Sequence, residues 1–221
     1  MMLTKEEVLT DIKNLGANHK TADIDRLIGR YVKAGSDTSL LREHILSEQS
    51  LHRIYFYVAL KQMKSPEERM EFIHKNLLFT DWWHTDQLIK FVSDLDFDTA
   101  FSYAKEYVKN DDPFIRRWGY VLFISKLCRE KKNLEKILSL LKNDAHYYVA
   151  MAEAWLICEL AIFFPEEMIR WFEHENKLYY NINSKAIQKI SDSYRVSDEV
   201  KEQFKALRPM LKNREEKHYE S

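Results

Sequence analysis

Glycine and proline are scarce in this chain: four of each occur among 221 residues. Sandwiches, barrels and doubly wound sheets need many tight turns built from those residues, so their scarcity argues against all three. Cysteine is scarcer still. Cys128 and Cys158 stand 30 residues apart, each within a helical apolar pattern, and read as buried free thiols of a reducing compartment rather than a disulfide framework. No stretch approaches the roughly 18 consecutive apolar residues of a membrane span. The start, MMLTKEEVLTDI, lacks the apolar run of a secretory leader. The expectation is a cytoplasmic protein without membrane contact. Charge of one sign is lacking too. Lys plus Arg is 34 and Asp plus Glu is 35, for a net charge of −1, so the total does not announce a nucleic-acid binder.

Several chemical signatures are also missing. The chain has no G-x-x-x-x-G-K, G-x-G-x-x-G, H-E-x-x-H or C-x-x-C, and no serine nucleophile elbow. Its eight histidines show no metal-ligand spacing. No cofactor and no metal are expected.

What is present is apolar material and helix punctuation. The chain is 45% hydrophobic and 13% aromatic, enough for a continuous core. Thr4 and Glu7 form a T-x-x-E capping box before Val8, Leu9 and Ile12. Ser65-Pro66-Glu67-Glu68 sets a cap, a first-turn proline and an acidic third position, and Asp112-Pro113 and Phe164-Pro165 repeat the proline device. Helical periodicity predicts about twelve helices, near 4–15, 22–33, 37–47, 50–64, 66–77, 82–93, 97–109, 113–129, 132–142, 145–163, 165–175 and 183–194, with another at 197–207. The helices at 113–129 and 145–163 are apolar on more than one side, which enclosure by neighbours requires, whereas 132–142 is one-sided. That rhythm, at about 40 residues per pair, predicts an all-α solenoid of about six HEAT-like antiparallel pairs in a curved superhelix. One domain over 1–207 is expected, with a charged tail at 208–221 too polar to pack and frayed.

Four segments carry candidate chemistry. In DWWHTDQLIKF, 81 to 91, Trp82 and Asp86 are four apart and share one helix face. Either one tryptophan is core and Asp86 is solvated, or indole and carboxylate together form a place for positive charge. Cation–π attraction contributes roughly 0.5–2 kcal/mol there, and a charge–charge attraction adds to it. In PFIRRWGYVLFI, 113 to 124, Arg116 and Arg117 point about 100° apart, serving structural ion pairs or a phosphate near the helix start. In HYYVAMAEAWLICEL, 146 to 160, Trp155 interrupts a small, aliphatic run as a plug or as a side chain projecting into a cavity. In YYNINSKAIQKISDSYRV, 179 to 196, Lys185, Lys189 and Arg195 interleave with tyrosines, which fits a sugar-phosphate strip or a solvated face.

Taken in order, these segments resemble the AlkD-like DNA alkylation repair family of HEAT-like-repeat DNA glycosylases. The resemblance runs from about residue 50 to 207. It is carried by W-x-x-x-D at Trp82 to Asp86, R-R-x-G at Arg116 to Gly119, Y-Y-V-x-M-A-x-A-W at Tyr147 to Trp155 and N-x-K-A-I-Q-K-I-x-x-S-Y-R-V at Asn183 to Val196. The resemblance implies a monomeric protein that binds double-stranded, alkylated DNA and excises cationic N3- or N7-alkylated purines without flipping the base. It carries the channel tryptophans onto Trp82 and Trp155, the catalytic carboxylate onto Asp86 and a DNA-contacting arginine onto Arg117. A fixed carboxylate suits that reaction, because departure of the base leaves an oxocarbenium-like sugar. Alignment on Trp83 instead would put Gln87 at the carboxylate position. The stretch RYVKAGSDTSLLR, 30 to 42, is shorter than the family's corresponding DNA-gripping segment and lacks its proline. With the near-zero net charge, this leaves a second expectation: a catalytically inactive relative acting as a binding or scaffold protein.

Overall fold

A computed structural model describes residues 2–219, with side chains through residue 214. Among the described residues it is all-helical, with thirteen α-helices, four short 3-10 turns and no named strand. The chain divides into two compact units, Met1–Val92 and Ser93–Ser221.

The first unit holds α1 (Lys5–Asn14), α2 (Thr21–Lys33), α3 (Gln49–Gln62), α4 (Pro66–Lys75) and α5 (Trp82–Asp86). Helix α1 starts at the expected capping box. Thr4 Oγ1 accepts from Glu7 N–H at 3.2 Å while the Glu7 carboxylate accepts from Thr4 N–H at 2.9 Å. The same reciprocal box between Ser65 and Glu68 starts α4. Helix α3 is the unit's centre: Leu51, Ile54, Phe56, Val58 and Leu60 are wholly buried, and α2, α4 and a 3-10 turn at Ser39–His44 pack against it.

The second unit holds α6 (Phe97–Tyr107), α7 (Pro113–Val121), α8 (Leu134–Leu138), α9 (Tyr147–Phe163), α10 (Pro165–His174), α11 (Tyr180–Asp192), α12 (Asp198–Ala206) and α13 (Arg208–Tyr219). Helix α9 lies between α7 and α11, as its all-round apolar surface requires. Its Ala150, Ala152, Ala154 and Ala161 are buried and keep the inter-helix spacing short. The one-sided helices flank this row: α6 packs on α7, α10 on α9, and α12 on α10 and α11.

Four expected helices are shorter or of another kind. Residues 39–44 form a 3-10 turn, and the span 82–93 breaks after Asp86 into a second 3-10 turn at Ile89–Phe91. The span 113–129 leaves helix after Val121, and 132–142 is helical only at Leu134–Leu138. In each case apolar residues anchor irregular backbone: Leu41, Leu88, Phe91, Leu127 and Leu140 are buried, so periodicity marked burial rather than helix. The segment expected to fray is helical through Tyr219. Leu211 is buried, and the Arg214 guanidinium donates to the carbonyls of Phe172, Glu173 and Asn176 at the end of α10. Glu220 and Ser221 lie outside the described residues.

Candidate functional site

Helix α5 is five residues long, too short to be stable alone. It forms because Asp81 caps it, accepting from Trp82 N–H at 2.6 Å, and because its far end is anchored in the first unit. One helical turn brings Trp82 and Asp86 to the same cavity of about 540 Å³, lined also by His19, Lys20, Arg53, Trp83 and Gln87. Trp82 is 44% exposed, an unusual state for an indole and one that leaves an aromatic face available to a ligand. The Thr85 hydroxyl lies 2.8 Å from Trp82 O and 3.0 Å from Asp86 Oδ1, so its one proton can serve either.

Behind the cavity runs a polar chain. Arg53 makes a two-pronged pair with Asp25, Nε to Oδ1 and Nη2 to Oδ2, both at 2.9 Å. Its Nη1 donates to Tyr57 OH at 2.9 Å and to Gln87 Oε1 at 3.1 Å, and the guanidinium carbon sits 4.1 Å over the Tyr57 ring. The hydrogen bonds from Arg53 hold the Asp25 carboxyl below the usual carboxylate range. Gln87 Nε2 meets His52 Nδ1 at 2.8 Å, and His52 Nε2 meets Leu78 O at 3.2 Å. Burial keeps both histidines here neutral: it lowers His52 to about 2 and His84 to about 4. The cavity therefore combines a carboxylate and two indoles with Lys20 and the already paired Arg53. Such a lining can hold a flat cationic ring against indole and carboxylate.

The other expected site residues belong to the second unit. Trp155 is half-buried on α9. Arg116 is an ion-pair residue: Nε and Nη2 bind the two Asp144 oxygens at 2.6 and 3.2 Å, and Nη1 donates to Asn110 O and Asp111 O. Arg117 is turned inward as well. It is 4% exposed and its Nη1 donates to Tyr148 O at 2.6 Å. Lys185 Nζ lies 4.9 Å over the exposed Tyr147 ring, and Lys189 is half-buried on the same helix. Arg195 is exposed and bound to both oxygens of Glu159 at 2.9 and 3.0 Å.

Arg53, Asp25 and His52 were not singled out by motif, and Gln87 entered only through the alternative alignment on Trp83. One signal was readable: Arg53 is a cation inside SLHRIYFYVAL, a run otherwise fit for burial, and a cation so placed needs a partner.

Together, the helical units and the indole–carboxylate cavity define an all-helical protein with a candidate site for positively charged ligands. The chain belongs to the DNA alkylation repair enzyme family, whose model matches residues 18–190. That match spans most of both units. Neither the curated proteins nor the solved structures include a match to the chain. Among the described residues no helix is long and apolar enough to cross a membrane.

Proposed function

We propose that this protein is a DNA glycosylase for cationic N3- and N7-alkylated purines in duplex DNA. The observation that carries the reading is the exposed Trp82 face and the Asp86 carboxylate on one cavity. An alkylated purine bears the positive charge that indole and carboxylate attract, and the charge passes to the sugar as the glycosidic bond breaks. Asp86 then stabilises an oxocarbenium-like sugar and orients the attacking water, while Trp82 supports the lesion and its deoxyribose. No strong general acid is required, because a cationic base is already a good leaving group. In this proposal Trp155, Lys185, Lys189 and Arg195 are further DNA contacts, whereas Arg116 and Arg117 are held by partners inside the second unit. In this reading the protein acts as a cytoplasmic monomer.

The test is release of 3-methyladenine and 7-methylguanine from alkylated duplex DNA by the purified protein. Release that Asp86→Asn lowers by about 10²–10³-fold, the usual loss for removing one electrostatic stabiliser, supports the proposal. Absence of release above background overturns it.

A second reading is favoured by two observations. Arg116, Arg117 and Arg195 are all engaged inside the chain. Gln87, an amide without charge, lines the cavity beside Asp86 and is the residue tied to Arg53 and His52. A catalytically inactive relative acting as a binding or scaffold protein would show weak or no DNA association and no base release.

A further inference from the structure

Gln87 directly follows Asp86 and closes α5 as its C-cap. Each of its side-chain polar ends has a partner on α3. Arg53 Nη1 donates to its Oε1, and its Nε2 donates to His52 Nδ1. The directions are fixed. A guanidinium only donates, so the facing amide atom is the oxygen. Leu78 O only accepts, so His52 carries its proton on Nε2 and leaves Nδ1 as an acceptor. The backbone is held as well: Tyr57 OH donates to Gln87 O at 3.1 Å. Arg53 is in turn fixed to Asp25 of α2. Three contacts thus seize the one residue beyond Asp86, at the end of a helix too short to hold itself.

We propose that Gln87 is a positioning residue for Asp86, locking the end of α5 to α3 so that the carboxylate keeps a fixed place in the cavity. The inference rests on the glycosylase reading above. It gives the amide a purpose of its own: as donor and acceptor at once, it bridges Arg53 to His52 where a carboxylate cannot. A shift of about 1 Å in a catalytic group lowers rate by about 10²-fold, so the lock acts on the chemical step rather than on DNA affinity.

Two variants test it. Gln87→Leu removes both side-chain bonds at similar volume, and Gln87→Glu keeps the shape but loses the donor toward His52. Single-turnover excision of 7-methylguanine should slow by about 10²-fold in Gln87→Leu, with the half-saturating DNA concentration within about twofold of the parent. In Gln87→Glu the contact re-forms only when a proton lies between the new carboxyl and His52 Nδ1. Its rate relative to the parent should therefore rise as pH falls, because acidification supplies that proton. The groups facing His52 are the stacked His84 ring, Trp83, Phe56 and Phe79. Beyond the amide stand the Arg53–Asp25 pair and Lys90, which lies over Tyr57.

An unchanged rate in folded Gln87→Leu overturns the inference. So does a loss of rate shared with DNA affinity and melting temperature, with no pH response in Gln87→Glu. If the parent releases no base, the glycosylase reading falls, and the titration of the Asp86 carboxyl carbon followed by NMR judges the lock alone. A midpoint displaced in Gln87→Leu, or in Gln87→Glu should the leucine variant not fold, supports the lock; an undisplaced midpoint refutes it.

Discussion

The rings of His52 and His84 stack with centroids 3.8 Å apart and planes 16° from parallel. Two imidazoles so close cannot both carry charge in a buried setting, and burial lowers both, His52 to about 2 and His84 to about 4. In the unfolded chain each titrates near 6.5. The unfolded state therefore binds more protons below that value. The contribution of the pair is complete above about 6.5 and is lost on acidification through about 4 for His84 and about 2 for His52, at up to about 1.4 kcal/mol per histidine per pH unit. Urea-unfolding midpoints should fall between pH 6.5 and pH 5, and replacing His84 with Gln should roughly halve the slope.

Glu153 on α9 produces the opposite trend. It is fully buried; one carboxyl oxygen accepts from Lys142 N–H at 2.5 Å and the other has no hydrogen-bond partner. Burial raises its pKa to about 8, against the lowering effect of that bond. The folded state holds a proton that the unfolded carboxyl sheds near 4.5. Its contribution is thus present below 4.5 and is lost as pH rises through about 8. With the histidines, this puts the stability maximum near neutrality. The Glu153→Gln variant should show a flatter decline from pH 7 to pH 9 in the same unfolding measurement.

Gly119 in α7 is set by a close approach. A Cβ there would lie 2.8 Å from Val108 Cγ1, 3.1 Å from Tyr107 Cβ and 3.2 Å from Val108 N, at the end of α6. Alanine in an exposed helix interior usually stabilises by about 1 kcal/mol over glycine. Here overpacking reverses the sign, and Gly119→Ala should cost about 1–3 kcal/mol. Thermal denaturation reads it directly; a higher melting temperature would show that Val108 yields freely.

Cys128 and Cys158 are buried and unpaired, and burial pushes their thiols up to about 11 and about 12. Thiolate is the reacting form, so both should resist an aromatic disulfide reagent at pH 8. Both should react at once in denaturant. Fast reaction of either in the folded protein would contradict the packing.

The helix starts were legible because they are local. Thr4, Ser65, Pro66, Pro113 and Pro165 act within one turn of their own backbone, and each begins or caps a helix as its chemistry dictates. The enclosed character of α9 was legible from apolar residues on every side. The W-x-x-x-D spacing likewise placed Trp82 and Asp86 on one helix.

The lengths of α5, α7 and α8 were not legible, because buried apolar residues in 3-10 turns mimic helical periodicity. Nor were the partners of the charged residues. Arg116 meets Asp144 across 28 residues, and Arg53 meets Asp25 and Gln87 across 28 and 34. Such pairings depend on how helices lie against each other, which no local pattern records. The sequence by itself determined that this chain folds as helices and puts an indole and a carboxylate one turn apart. Tertiary packing decided that α5 ends on Gln87, that the amide meets Arg53 and His52, and that Arg117 turns inward, because burial obliges each polar group to find a partner wherever the fold supplies one.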